Sequence, residues 1–289
     1  MYLKKVLRNL YEQYRDSGEF PSRIRKRYQL FWSAPDANLI NLVKHSKNDP
    51  IEVWRDAPNW QRKLSNKANS REFAAKFNCK LPDLYWKGSD VDQLDFNALP
   101  AHYVIRPTLG FSAQMVFIMD NGVNLFDHKK YEPEEIRSLL KTMLTEREGL
   151  EVLVEEFLQN EAAGYGIQTD FKFYCFRGEI ACFWVINREG PCSGNGTFYD
   201  EHWNKLKMVN SLYPHKFDPV KPKCFDEMVA NAKRLSIEYG IFVRIDFYAT
   251  PKGAVFGEFT PTPSLGRMYT GYGKKLLKNY WNQYCPALV

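Results

Sequence analysis

The chain has 289 residues, 44% apolar, 15% aromatic and 26% charged, which is long and apolar enough for a sizeable core in two or three modest domains or one lobed unit. Its formal charge of +6 is concentrated at one end: residues 1–65 hold thirteen Lys and Arg against seven Asp and Glu, and the remainder is neutral overall. Six cysteines without a C-x-x-C pair argue against a disulfide scaffold or structural zinc site, and no apolar run approaches the length of a membrane span.

The first twenty residues are too polar and broken for a signal peptide, so a soluble cytoplasmic protein is the expectation. Residues 2–16 read as a helix with Leu3, Val6, Leu7, Leu10 and Tyr14 on one stripe. Arg23, Arg25, Lys26 and Arg27 form the densest basic patch. It suits an acidic polymer or an anionic membrane face, where the protein would sit peripherally, and equally a plain solvated face. With no helix-turn-helix, finger or RNA-stacking motif, nucleic acid is not an expected partner.

A helix over 66–78 begins at Ser65 or Asn66 as cap and sets Lys67 and Arg71 on one face, four residues apart. Leu84 to Leu99 reads as a polar connector. His102 to Met119 reads as strand, loop, strand, followed by a turn at Asp120-Asn121-Gly122; the loop at 108–113 has a single glycine, a weak signal for gripping phosphate. A helix is expected over 134–147, then a strand over 150–158 that ends in Glu155-Glu156-Phe157-Leu158. Residues 169–186 read as two strands around Arg177-Gly178, with Asp170 and Lys172 sharing a face. The stretch 187–218, rich in Gly, Pro and aromatics, reads as a long irregular excursion. A helix over 226–239 stops at Gly240, and a last helix occupies 271–284.

This order of elements predicts an α+β architecture. The expected division is a basic, partly helical region at 1–65, a segment at 66–157 containing a small lobe, and a larger lobe at 158–289. A cleft between the lobes would gather 106–112, 155–158, 170–172 and 244–260.

Residues 244–260, RIDFYATPKGAVFGEFT, carry the most chemistry. A period of two puts Arg244 and Asp246 on one face, and Glu258 and Thr260 on one face of the returning strand. A hairpin centred near Lys252 sets Asp246 opposite Glu258 and Arg244 opposite Thr260. Two facing carboxylates need a positive charge between them, and Mg²⁺ is the natural candidate. The plainer reading is a surface hairpin with Asp246 salt-bridged to Arg244 or Lys252. Walker, nucleophile-elbow and dinucleotide motifs are missing from the sequence.

With these residues in view, the sequence resembles the ATP-grasp superfamily, and within it the TupA-like branch associated with teichuronopeptide and surface-polysaccharide biosynthesis. Arg244-Ile-Asp246 and Glu258-Phe-Thr260 match the family's Arg-x-Asp and Glu-x-Asn pattern, and Phe256-Gly-Glu258 and Asp170-Phe-Lys-Phe-Tyr-Cys-Phe-Arg-Gly178 match two further features. Asn66-Lys67 with Arg71 is similar to its Asp-Lys-x-x-x-Arg. The resemblance covers roughly residues 60–270. It implies two α+β lobes enclosing a nucleotide cleft.

By that resemblance Asp246, Glu258 and Thr260 hold Mg²⁺, Arg244 lies near the transferred group, and Lys67 and Arg106 contact phosphates. Glu155, Glu156, Phe157 and Leu158 form the hinge beside adenine, Ser112 covers the phosphates, Glu161 meets the ribose, and Asp170 and Lys172 line the nucleotide or acceptor side. Thr260 in place of Asn, Arg106 in place of Lys and the glycine-poor loop depart from the pattern. The implied activity is an ATP- and Mg²⁺-dependent carboxylate–amine ligase working through an acylphosphate. Its expected partners are a small carboxylate and an amine, namely an amino acid with a uronic acid or amino sugar of an acidic polysaccharide or nucleotide-sugar precursor. Arg188, Tyr199, Asp200 and Trp203 are the expected substrate contacts, against the alternative of a loop packed on aromatics. A small-molecule kinase, a glycosyltransferase and a catalytically inactive binding protein are the competing functions.

Overall fold

The computed structural model describes residues 16–34, 42–110, 115–147, 149–191 and 193–286. Ser112, Cys192 and, save its last residue, the helix expected over 2–16 lie outside the described residues. Six helices are described: α1 (Glu19–Trp32), α2 (Ile51–Trp54), α3 (Lys67–Lys76), α4 (Pro133–Thr145), α5 (Phe225–Tyr239) and α6 (Gly271–Tyr284). Their ends reflect local chemistry. The Asn66 side chain accepts from the Ala68 N–H at 2.9 Å to start α3, and Glu135 reaches back to the Glu132 N–H at 2.8 Å to start α4 behind Pro133. Gly240, at φ 81°, stops α5 in the left-handed region that glycine enters without penalty.

Two antiparallel sheets make the two lobes. In the small lobe, β1 (Leu84–Gly88), β2 (His102–Pro107), β3 (Phe117–Asp120), β4 (Val123–Asn124), β5 (Lys129–Lys130) and β6 (Val152–Glu156) run in the order β1-β6-β2-β3-β4-β5. In the large lobe, β7 (Asp170–Phe176), β8 (Glu179–Arg188), β9 (Gly194–Tyr199), β10 (Phe242–Thr250) and β11 (Gly253–Thr260) run β11-β10-β7-β8-β9. The architecture is the expected two-lobed α+β fold. By packing, α3 belongs with the large sheet, since Phe73 and Ala74 share a core with Phe173, Val243 and Phe259.

Two segments differ from the sequence reading. Leu84–Leu99 contains β1, an edge strand paired to β6, and two short 3-10 turns. The excursion 187–218 contains β9, which pairs with β8 from Phe183↔Tyr199 to Arg188↔Gly194. Glycines disguise that strand, yet they are what it needs: a Cβ on Gly196 would lie 2.3 Å from Trp184 Nε1.

The large sheet is buried on both faces, and its strands are correspondingly apolar throughout. Phe171, Phe173, Phe183, Val243 and Ile245 point toward α3 and α5. Tyr174, Phe176, Trp184 and Phe242 point toward α1 and α6, with Trp281 and Tyr269 fully buried among them. Each such side chain contributes about 1.5–3 kcal/mol on burial. The period of two continues along this second face to Lys172, Asp170, Arg188 and Asp246, so one sheet face is aromatic at one end and charged at the other.

Candidate active site

The hairpin register is the one its sequence predicts. Arg244 pairs with Thr260 and Asp246 with Glu258. The turn is the two residues Pro251-Lys252, and the ladder skips Gly257, so Asp246/Phe247 oppose Glu258/Phe256. A bulge of this kind re-aims side chains next to it. Glycine fits because a Cβ at 257 would lie 3.1 Å from the Asp246 carbonyl oxygen.

Asp246 is 1% exposed. Arg244 grips it with two parallel hydrogen bonds, Nε to Oδ1 at 2.7 Å and an amino nitrogen to Oδ2 at 2.8 Å. Lys172, its cross-strand partner on β7, donates to Oδ2 as well. Burial would raise this carboxyl's pKa, but Arg244 and Lys172 outweigh it and hold Asp246 below the usual carboxylate range. Burial likewise disfavours the Arg244 cation, and Asp246 reverses that. The same Arg244 nitrogen donates to Thr260 Oγ1 at 2.8 Å and stands 3.5 Å from Glu258 Oε1. Glu258 is the accessible member of the pair, with 38% of its side chain exposed. Asp170 sits between Lys172, at 3.4 Å, and Arg188, which donates to it from β8.

The small lobe supplies a second cluster. Glu155 on β6 is buried between Arg71 of α3 and Arg106 of β2. Lys67 starts α3 one turn before Arg71 and donates to the Gly110 carbonyl at 3.3 Å. Burial lowers the Lys67 pKa, with Arg106 adding to the effect and Glu258 and Glu155 opposing it, so the two clusters share one electrostatic field. The strand period that carries Arg244 and Asp246 brings Tyr248 to the same place. Burial and Asp170 raise its hydroxyl's pKa against Arg106.

Other sequence-predicted residues have different surroundings. Glu156 accepts from the Asp83 N–H at 3.0 Å and from Lys252 at 2.7 Å, linking the small lobe to the hairpin turn. Phe157 and Leu158 are buried; Phe157 packs near Tyr165 and the Leu158 carbonyl accepts from Gln168 at 2.7 Å. The Glu161 carboxylate accepts from the N–H groups of Lys223 and Cys224, just ahead of α5. Tyr199 and Trp203 stack at 4.8 Å in the aromatic core on the opposite sheet face, with Phe183 and Phe225. Asp200 closes its own turn by accepting from the N–H groups of His202 and Asn204, both at 2.9 Å. Of the four expected substrate contacts only Arg188 joins the charged cluster. A separate cavity of about 510 Å³ beside α4, lined by Lys44, Asp90, Lys141 and Arg147 among others, includes no residue of that cluster.

Over residues 50–275 the chain matches the family described as TupA-like ATPgrasp. The chain belongs to that family. The enzyme class that goes with this membership is the ATP-grasp ligase, which binds ATP. Among solved structures, the TupA-like chain is similar to D-alanine–D-alanine ligase from Bacillus anthracis (TM-score 0.51, 13% identity, 78% of this chain and 68% of that one). The same ligase complexed with ATP gives a TM-score of 0.50 at 13% identity, over 78% and 67% of the two chains. D-alanine–D-alanine ligase from Helicobacter pylori is also similar, with a TM-score of 0.48 at 18% identity over 79% and 61% of the two chains. The chain thus spans about two thirds or less of these structures. No curated protein sequence matches it. Among the described residues no helix is long and apolar enough to cross a membrane.

The donor set suits a hard cation in kind. Glu258 and Thr260 offer oxygens, Glu258 to solvent, whereas both Asp246 oxygens are held by cations. No group of three His, Cys, Asp or Glu suited to a metal occurs among the described residues, so a cation here would complete its sphere with phosphate and water.

Proposed function

We propose that this protein is an ATP- and Mg²⁺-dependent ligase that joins a carboxylate to an amine through an acylphosphate. The finer proposal is that an amino acid is joined to a uronic acid or amino sugar of a surface polysaccharide or its precursor. The observation that carries the reading is the charged cluster between the lobes. Lys67, Arg71, Arg106, Lys172, Arg188 and Arg244 face Glu155, Asp170, Asp246 and Glu258 there, six cations to four anions. That surplus of two positive charges suits a polyphosphate. The B. anthracis ligase of the same fold is complexed with ATP.

The residues suffice to write the chemistry. A substrate carboxylate oxygen attacks the γ-phosphorus and the bond to the β-bridging oxygen breaks, leaving ADP and an acylphosphate. Lys67 and Arg106 hold the phosphates, and Arg244, fixed in place by Asp246, presents a planar donor to the oxygens of the group in transfer. Glu258 and Thr260, beside Asp246, would hold Mg²⁺, which would neutralise phosphate charge. An amine then attacks the activated carbonyl, and phosphate leaves with the electron pair and takes up the proton that the nitrogen loses.

The test is incubation with Mg-ATP and a panel of uronic acids, amino acids and amino sugars, with mass spectrometry of the products and hydroxylamine as a trap. A hydroxamate with free phosphate, and an amide when an amine is present, supports the ligase. A stable phosphorylated product without amine incorporation would replace it with a kinase. Calorimetry finding no ATP or ADP binding, with or without Mg²⁺, would sink both.

A further inference from the structure

The hairpin that carries Arg244, Asp246, Glu258 and Thr260 is closed at one end by the turn at Pro251-Lys252. Its other end lies where β10 begins at Phe242 and the chain leaves β11 at Pro261. Arg27 of α1 stands at that opening. It is fully buried, and one of its amino nitrogens donates to the Phe242 carbonyl and lies 3.4 Å from the Pro261 carbonyl oxygen. Its guanidinium lies over the rings of Trp281, at 4.7 Å, and Phe242, at 5.5 Å.

A buried cation without a carboxylate partner is costly. Among the described residues no ion pair reaches Arg27, and its Nε and second amino nitrogen have no hydrogen-bond partner. Burial lowers its pKa from 12.5 to about 10, against Tyr239 and Cys285, which leaves it charged at neutral pH. Carbonyl dipoles and aromatic faces offset part of that cost. An apolar side chain of similar size would fill the same space without it.

The same N-terminal stretch braces the loop that leaves β11. Ser264, Leu265, Gly266 and Met268 all have φ between 50° and 72°, a run that side-chain-bearing residues rarely adopt. The Asp16 carboxylate accepts from the Met268 N–H at 3.0 Å. Helix α1 packs so closely on this loop that a Cβ at Gly266 would lie 2.8 Å from the Pro21 carbonyl oxygen. Residues 16–32 precede the stretch matched to the family, which begins at 50.

We propose that Arg27 is a positioning residue: it closes the open end of the hairpin and so fixes the alignment of Arg244 and Asp246 with Thr260 and Glu258. This rests on the ligase reading for its effect on turnover, though not for its effect on the strands. The experiment compares the full chain with Arg27→Met and Arg27→Lys. Hydrogen exchange of the amides in 259–268, measured without nucleotide, should be faster in Arg27→Met, and faster to a lesser degree in Arg27→Lys, while the melting temperature of Arg27→Met stays close to that of the parent. Turnover should fall roughly 10- to 100-fold in Arg27→Met, in kcat with little change in KM for ATP, and recover in part in Arg27→Lys. Parental exchange in 259–268, or parental kcat in a folded Arg27→Met, overturns the proposal. Should Arg27→Met fail to fold, Arg27→Lys decides: parental exchange there overturns it and faster exchange supports it. Faster exchange in a chain whose parent turns over no substrate would sink the ligase reading and leave the brace standing.

Discussion

The buried floor of the charged cluster and its exposed rim are both built of ion pairs, and they differ in their surroundings. On the floor, Lys172, Arg244 and Asp246 are each at most 9% exposed, and every polar atom of Asp246 is matched. At the rim, Lys252 bridges the lobes to Glu156 at 2.7 Å and Asp83 at 3.0 Å with 43% of its side chain exposed. The distances resemble one another; the dielectric does not. Removing one partner on the floor strands a charge in a poorly solvated place, whereas at the rim water takes over the vacated bond. Burial, rather than the number of salt bridges, decides which pairs the fold depends on.

The largest expected effect comes from Asp246→Asn, which leaves Arg244 and Lys172 buried with half their compensation. It should lower stability by about 3–5 kcal/mol, read as a shift in the urea midpoint, and abolish turnover. A loss at the level of an exposed pair would erase the distinction between floor and rim. Glu258→Gln separates chemistry from folding, because this side chain is the accessible carboxylate. Turnover should fall about 10²-fold or more with the melting temperature nearly unchanged. Equal losses of stability in both variants would mean that Glu258 belongs to the floor as much as Asp246 does.

Acid gives a third, smaller contrast. Asp246 has a folded pKa below its unfolded value, so its contribution is fully present above about pH 4, the ordinary carboxylate value, and fades as pH falls through the folded value. The stability gap between the parent and Asp246→Asn, tracked by urea titration at a series of pH values, should be constant near neutrality and narrow only below about pH 4. A gap that closes between pH 5 and 7 would overturn the assignment. The smallest effect belongs to Lys252→Ala, which should cost about 0.2–1 kcal/mol and shrink further in high salt. A larger, salt-insensitive loss would make the rim latch a structural element in its own right.

The hairpin was legible because its signals are local. Alternation fixed the faces and the Pro-Lys-Gly turn fixed the centre, and the bulge at Gly257 offset a turn shorter than a symmetric ladder around Lys252 would have. The helices at 67–76 and 225–239 were legible for the same reason, through a cap, a glycine stop and periodicity. Features that depended on distant chain segments were not. Lys172 meets Asp246 only because β7 lies beside β10. Nothing near Arg27 in sequence says that its partners are carbonyls 215 and 234 residues away. Tyr199 and Trp203 have the composition of a sugar-stacking surface, but the strand Gly194–Tyr199 turns Tyr199 into the core and the half-buried Trp203 stacks on it there. Tyr248 could have been found, since it continues the alternation two residues past Asp246.

Strand β11 carries Glu258 and Thr260 at the margin of the large sheet. Such a margin offers unpaired backbone groups on which one folded molecule can add itself to another. Here the chain returning from α3 crosses it: Lys80 bridges to Val255, and its carbonyl accepts from the Phe256 N–H at 2.9 Å. The crossing interrupts the open ladder in mid-strand, so a working residue can sit at the sheet's border without that border becoming a seed for self-association.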